Sequence, residues 1–209
     1  MTEIPVFFED EWLAVIDKPS GLLVIPTPKK EKNTLTSLLN EGLIKKGVAY
    51  RLHPCHRLDR DTSGLIIYAK GKSTQQKMMD EFKNRQVRKS YIAFVSGTLK
   101  NGEGVIDHPI EGLSSVTEYR VIERRKDFTV VEVMPVTGRT NQIRIHFKGI
   151  GHPILGDSKF AFRRDFPVKA KRLCLHAQGV EFRHPVTKED MALYRSMPQY
   201  LSDFLEEHA

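Results

Sequence analysis

Apolar residues in this chain come mostly in short runs broken by Gly, Pro, Asn and Asp, the pattern of β-strands joined by turns. The runs predict strands at 13–16, 65–69, 91–95, 116–122, 129–134, 173–176, 180–182 and 191–194. Within 116–122, Thr117, Tyr119 and Val121 alternate with Glu118 and Arg120, the period of a half-exposed strand. A helical period occurs less often. Leu35, Leu38, Leu39 and Leu43 share one helical face, with Thr34 as N-cap and Gly47 beyond the end. A second helix is expected over 73–86 with Met78, Met79 and Phe82 as its buried stripe, and a third over 199–207 with Leu201, Phe204 and Leu205 inward. Residues 140–150 fit either periodicity. A helix capped by Thr140 and ended by Gly151 is favoured, because it places Arg144 and Lys148 on one face. Many strands beside a few helices, without regular alternation, predict an α+β fold.

Composition narrows the class. The chain has 209 residues, 40% of them hydrophobic and 28% charged, which suits a folded globule and leads us to expect one domain over 1–209. Two cysteines, Cys55 and Cys174, are too few for a disulfide framework. No apolar run approaches the roughly 20 residues that span a bilayer. The N-terminus runs into Glu9-Asp10-Glu11, opposite in charge to the start of a signal peptide, so a cytoplasmic protein without a membrane partner is expected. The formal charge of +7 points towards nucleic acid.

The most informative segment is His56-Arg57-Leu58-Asp59-Arg60-Asp61-Thr62-Ser63-Gly64, followed by the apolar Leu65-Ile66-Ile67. It reads as a polar loop entering a buried strand, with Gly64 at the join. Arg57 and Arg60 flank Asp59, and nearby positive charge keeps a carboxylate ionised. The hydroxyls of Thr62 and Ser63 can bond backbone or phosphate. By residue type alone, this is a charged turn held by local ion pairs.

The same nine residues resemble the catalytic signature of the RluA-type RNA pseudouridine synthases. Further blocks agree in order. Lys18-Pro19-Ser20-Gly21-Leu22 is similar to the family's N-terminal motif, and Lys89-Ser90-Tyr91-Ile92-Ala93 with Gly97 to its tyrosine motif. Gly138-Arg139-Thr140 with Gln142-Ile143-Arg144 resembles its arginine motif, and two more blocks match at 151–157 and 173–177. The resemblance spans about 8–195, and it implies a bent, mainly antiparallel mixed sheet with flanking helices and a central cleft.

It also implies a reaction, the isomerisation of uridine to pseudouridine within RNA. Asp59 would be the essential carboxylate, acting as nucleophile or base on the ribose, or by addition to the uracil ring. Arg144 would pair with Asp59 and orient it. Tyr91 would stack on uracil and assist proton removal at carbon 5. Substrate contacts would come from Leu175 as an apolar wall, Thr62, Ser63, Lys18 and Pro19, and from Arg57, which would fill the space of a flipped-out base. Neither cofactor nor metal is implied, and the partner is RNA, a ribosomal or transfer RNA stem-loop, bound by a monomer.

Two departures from the family pattern stand out. Asn141 occupies the place where the arginine motif commonly carries His; it keeps a donor and an acceptor but cannot titrate, so altered local bonding is expected, with activity retained. The passage Glu111-Gly112-Leu113-Ser114-Ser115-Val116 is short where relatives carry a longer basic loop, which loosens any transfer of a particular RNA target. No room is left before Lys18 for the small RNA-binding domain that some relatives carry, so the catalytic domain itself is expected to hold RNA.

Three basic clusters suit RNA binding. Lys83, Arg85, Arg88 and Lys89 form one, and Arg124, Arg125 and Lys126 another. In the third, Lys159, Arg163, Arg164, Lys169, Lys171 and Arg172 are interleaved with Phe160, Phe162 and Phe166. This last cluster is the best candidate for an RNA-contacting loop. Rival chemistries fit less well. His53, Cys55, His56, Cys174 and His176 offer zinc-ligand types, but their spacing matches no standard zinc pattern. A glycosidase needs two catalytic carboxylates; Asp59 and Asp61 are candidates, but no second acid stands out in the matching blocks. Intact Asp59, Tyr91 and Arg144 argue for an enzyme over an inactive RNA-binding module of the same fold.

Overall fold

The computed structural model describes residues 4–162, 164 and 166–208. Among them are ten strands and four helices, an α+β fold whose described strand pairs are antiparallel. No described helix is long and apolar enough to cross a membrane. The chain divides into two compact units, residues 1–87 with 180–193, and residues 88–179 with 194–209.

In the first unit β1 (Val6–Glu9), β2 (Leu13–Lys18) and β4 (Ser63–Lys70) lie in that order, and β3 (Leu52–Pro54) also pairs with β4. The β2–β4 register sets Leu13 opposite Ala69 and Lys18 opposite Gly64, so β2 ends beside the turn that begins β4. Helix α1 (Leu35–Lys45) starts as expected: the Thr34 hydroxyl accepts from the Ser37 N–H, and the Ser37 hydroxyl accepts in return from the Thr34 N–H. Gly47 follows its end with φ +71°.

Helix α2 (Lys72–Lys83) corrects one expectation. Thr74, Met78 and Phe82, spaced four apart, face the core, whereas Met79 lies about 100° further round and is exposed. The core they join holds Leu13, Val15, Leu65, Ile67, Val180 and Phe182. Strand β10 (Asp190–Tyr194) pairs with β9 (Leu175–Arg183), which merges two runs expected to be separate.

In the second unit the order is β5 (Arg88–Ser96), β8 (Phe128–Pro135), β7 (Thr117–Arg124) and β6 (Glu103–Ile106). Thr117 and Tyr119 are buried and Glu118 and Arg120 exposed, as their alternation requires. Gly104 sits opposite Tyr119, whose ring occupies the space a β-carbon would need. Helix α3 (Gln142–Gly149) resolves the ambiguous segment as a helix, and α4 (Gln199–Glu207) brings Phe204 against Phe94 and Phe128.

The cap of α3 is a second correction. Its N-cap is Asn141, not Thr140, in the left-handed conformation (φ 55°, ψ 22°) and without a capping bond from its side chain. Asparagine tolerates that region better than β-branched threonine does.

Candidate active site

The segment 56–64 is fixed in the first unit by contacts that are distant in sequence. The Cys55 N–H donates to the Ile67 carbonyl at 2.9 Å, and the Ile67 N–H donates to His56 Nε2 at 3.0 Å. The His56 ring thus extends the β3–β4 ladder by one partner, with its proton on Nδ1 when neutral. A tight turn follows, closed by the Thr62 N–H on the Asp59 carbonyl. Gly64 ends it at φ +113°, a conformation that a side chain disfavours. Asp59 is half-buried on this turn and Arg57 is exposed before it.

Residues 18–21 grip the turn from outside. Lys18 is fully buried (0% exposed), and its ammonium donates to the carbonyls of Arg60 (2.9 Å), Leu22 (2.7 Å) and Pro19 (2.9 Å). The Gly21 N–H also donates to the Arg60 carbonyl, and the Ser20 hydroxyl to that of Asp61 at 2.7 Å. Burial pushes the Lys18 pKa down to about 8, against the upward pull of Asp61 and Asp59. All three N–H bonds of an ammonium are engaged with backbone carbonyls, so Lys18 ties the turn in place. Pro19 is exposed beside it. Thr62 and Ser63 are buried, and Thr62 Oγ1 has no hydrogen-bond partner among the described residues.

In the second unit Tyr91 is buried on β5 opposite Val133, and Leu175 is buried at the start of β9. Arg144, in the first turn of α3, is 4% exposed. Its Nε donates to Asp157 Oδ2 at 2.8 Å, its Nη2 to Asp157 Oδ1 at 2.7 Å, and its Nη1 to Asn141 Oδ1 at 3.0 Å. Asn141, where the family pattern commonly carries His, thus bonds to Arg144 itself. Sequence reasoning misses Asp157 as a partner, because it lies 13 positions away and follows a glycine in a block with no helical or strand period. Burial pushes its carboxyl up, but the bonds and charge of Arg144 and the N–H groups of Phe160 and Lys159 bring it below its ordinary value.

In the third basic cluster two cations lie against aromatic rings. Lys159 lies 4.9 Å from the Phe160 ring centre, and Arg164 lies 5.1 Å from that of Phe162, which is 68% exposed. Arg163 lies outside the described residues. Burial draws Lys89, beside Tyr91 in sequence, below the usual lysine range. Cys55 and Cys174 are buried, and burial pushes both thiols up to about 12. Among the described residues, no three or more His, Cys, Asp or Glu side chains converge as a metal site.

Known proteins share both the sequence and the fold. A family model described as RNA pseudouridylate synthase matches residues 12–148. A dual-specificity RNA pseudouridine synthase RluA of Yersinia pestis is 37% identical, over 86% of this chain and 92% of its own length. An uncharacterized RNA pseudouridine synthase YlyB of Bacillus subtilis is 32% identical, over 98% of this chain and 72% of its own. The solved structure of human RNA pseudouridylate synthase domain containing 4 matches with a TM-score of 0.81 at 27% identity, over 96% of this chain and 91% of that one.

Proposed function

The chain belongs to the RluA-type RNA pseudouridine synthases, and from that premise we propose that Asp59 is the carboxylate on which its isomerisation of uridine turns. In that reaction the bond between uracil N1 and the ribose breaks, the base rotates, and uracil carbon 5 bonds to the same sugar carbon, giving up a proton while N1 takes one up. Atoms and electrons balance within the nucleotide, so the chemistry asks for no cofactor. It does ask for an ionised carboxylate that cannot wander. The observation that carries the reading is the turn 59–62, tied through the carbonyls of Arg60 and Asp61 to Lys18, Gly21 and Ser20. A carboxylate on so fixed a turn meets the reacting carbon without first being ordered.

Tyr91 and Arg144 complete the catalytic set in this reading. The tyrosine phenol takes part in proton removal at carbon 5, and the guanidinium is the partner that orients the Asp59 carboxylate. Leu175 lines the base, and the exposed Arg57 enters the stack that the flipped uridine leaves. Thr62 and Ser63 serve the same nucleotide. In this reading residues 1–209 make up one catalytic domain. The substrate is a stem-loop of ribosomal or transfer RNA, bound by a monomer in the cytoplasm; the dual specificity named for the Yersinia relative supports more than one target. The basic, aromatic segment around Phe160 and Phe162 is the part of the surface best suited to its phosphates and bases.

The test is Asp59→Asn, assayed for pseudouridine in a stem-loop RNA. Conversion is expected to disappear while RNA affinity and melting temperature stay at wild-type values. Turnover near the wild-type rate in that variant would overturn the role of Asp59.

A further inference from the structure

Arg144 occupies an unfavourable place for a cation. It stands in the first turn of α3, where the helix dipole opposes positive charge, and it is almost wholly removed from water. Its three guanidinium nitrogens are each held: Nε and Nη2 by the two oxygens of Asp157, Nη1 by Asn141 Oδ1. The Phe160 ring covers the group, its centre 5.0 Å from Cζ.

Both holders are themselves fixed. Asp157 is 1% exposed, and its Oδ1 also accepts the N–H groups of Lys159 at 3.0 Å and Phe160 at 3.1 Å. It follows Gly156, at φ +74°, where a β-carbon would collide with the Arg172 carbonyl. Asn141 holds the N-cap position, yet its side chain makes no capping bond and turns to Arg144. A left-handed residue placed there for the helix alone would serve as well with glycine.

We infer that Asn141 and Asp157 form a seat for Arg144, two positioning residues that hold its guanidinium in one orientation for catalysis. The inference rests on the reading of Arg144 as a catalytic group. The seat uses three of the five guanidinium N–H bonds. The remaining two belong to Nη1 and Nη2, and their directions follow once the plane is fixed. Asn141 supplies its share with a neutral oxygen at a site where an imidazole would have to stay unprotonated to accept the same bond.

The experiment is single-turnover pseudouridine formation, with KM and melting temperature, on the full chain. Asn141→Gly removes the acceptor and relieves the left-handed backbone, so the fold persists. Its rate is expected to fall about tenfold, the scale of one hydrogen bond to a charged group, with KM unchanged. Asn141→His restores an acceptor in a residue that tolerates the conformation, and is expected to recover most of that loss. Asp157→Asn is expected to lose more, and if it does not fold, Asn141→Gly decides alone. In an Arg144→Lys background Asn141→Gly is expected to cost nothing further, since its effect travels through the guanidinium.

A wild-type rate in Asn141→Gly, or a fall accompanied by a lower melting temperature and raised KM, overturns the seat. Arg144→Ala separates the two claims. If that variant keeps the wild-type rate, the catalytic reading of Arg144 fails. If it is inactive while Asn141→Gly is at the wild-type rate, the seat alone fails.

Discussion

Lys18 donates a hydrogen bond to the carbonyl of Arg60, the residue after Asp59, across 42 positions of sequence and at 2.9 Å. The same buried ammonium carries the positive charge whose interaction with Asp59 and Asp61 opposes its own desolvation. It is therefore both a mechanical tie and a countercharge for the turn. Without it the carbonyls of Pro19 and Leu22 would lose this donor, and that of Arg60 would keep only the Gly21 N–H.

Lys18→Met keeps the length of the side chain and removes both functions. Three backbone carbonyls lose a donor, which is expected to lower the unfolding free energy by about 3 kcal/mol or more in urea titration. Turnover of the fraction that remains folded is expected to fall as well, because the Asp59 turn loosens. Unchanged stability would remove Lys18 as the tie.

Arg57 is exposed, so Arg57→Ala is expected to leave stability within about 0.5 kcal/mol of wild type. Its effect belongs to base flipping. Turnover on a stem-loop is expected to fall more than turnover on an unstructured oligonucleotide of the same sequence, where no stack needs filling. Equal losses on both substrates would assign Arg57 to general RNA binding.

The Asp157 carboxyl titrates below its ordinary value of 3.8 in the folded chain. Between the folded and unfolded pKa values the unfolded chain binds more protons, so the ion pair stabilises above that window and its contribution is lost as pH falls through it. The stability gap between wild type and Asp157→Asn is therefore expected to be widest near neutral pH and to close as pH drops below 3.8. Chemical denaturation at a series of pH values reads this directly. A gap independent of pH would show that the carboxylate charge is not what holds Arg144.

With both thiols pushed up to about 12, Cys55 and Cys174 are expected to resist alkylation in the native protein at pH 8. At that pH only about one buried thiol in ten thousand is ionised by this measure, before access is considered. Mass spectrometry is expected to find neither modified without denaturant and both modified with it. Rapid native labelling of either would contradict its burial.

Signals in the chain are legible where the physics is local. The Thr34 cap, the extent of α4 and the alternation in β7 each depend on residues within one or two turns or strand steps of each other. Strands β1, β3 and β6 carry no such signal. They have three or four residues each, and they exist because a neighbouring strand supplies their hydrogen bonds. Met79 reads as core because it is apolar, but helical pitch turns it outward once Met78 faces in.

For the candidate site, the residues from His56 to Gly64 and the ordered blocks around Tyr91 and Arg144 are enough to identify the family and to single out Asp59 as the candidate carboxylate, since motifs are properties of residue type and spacing. The partners of the buried charges are not legible. That Lys18 holds the Arg60 carbonyl, that Asp157 and Asn141 share Arg144, and that His56 completes a strand ladder depend on where the chain returns after folding. The sequence by itself determined the chemistry this protein performs and most of its local elements. Only the tertiary structure decided which groups satisfy the buried ions, because a buried charge selects its partner by proximity in space, and proximity is created by the packing of distant segments.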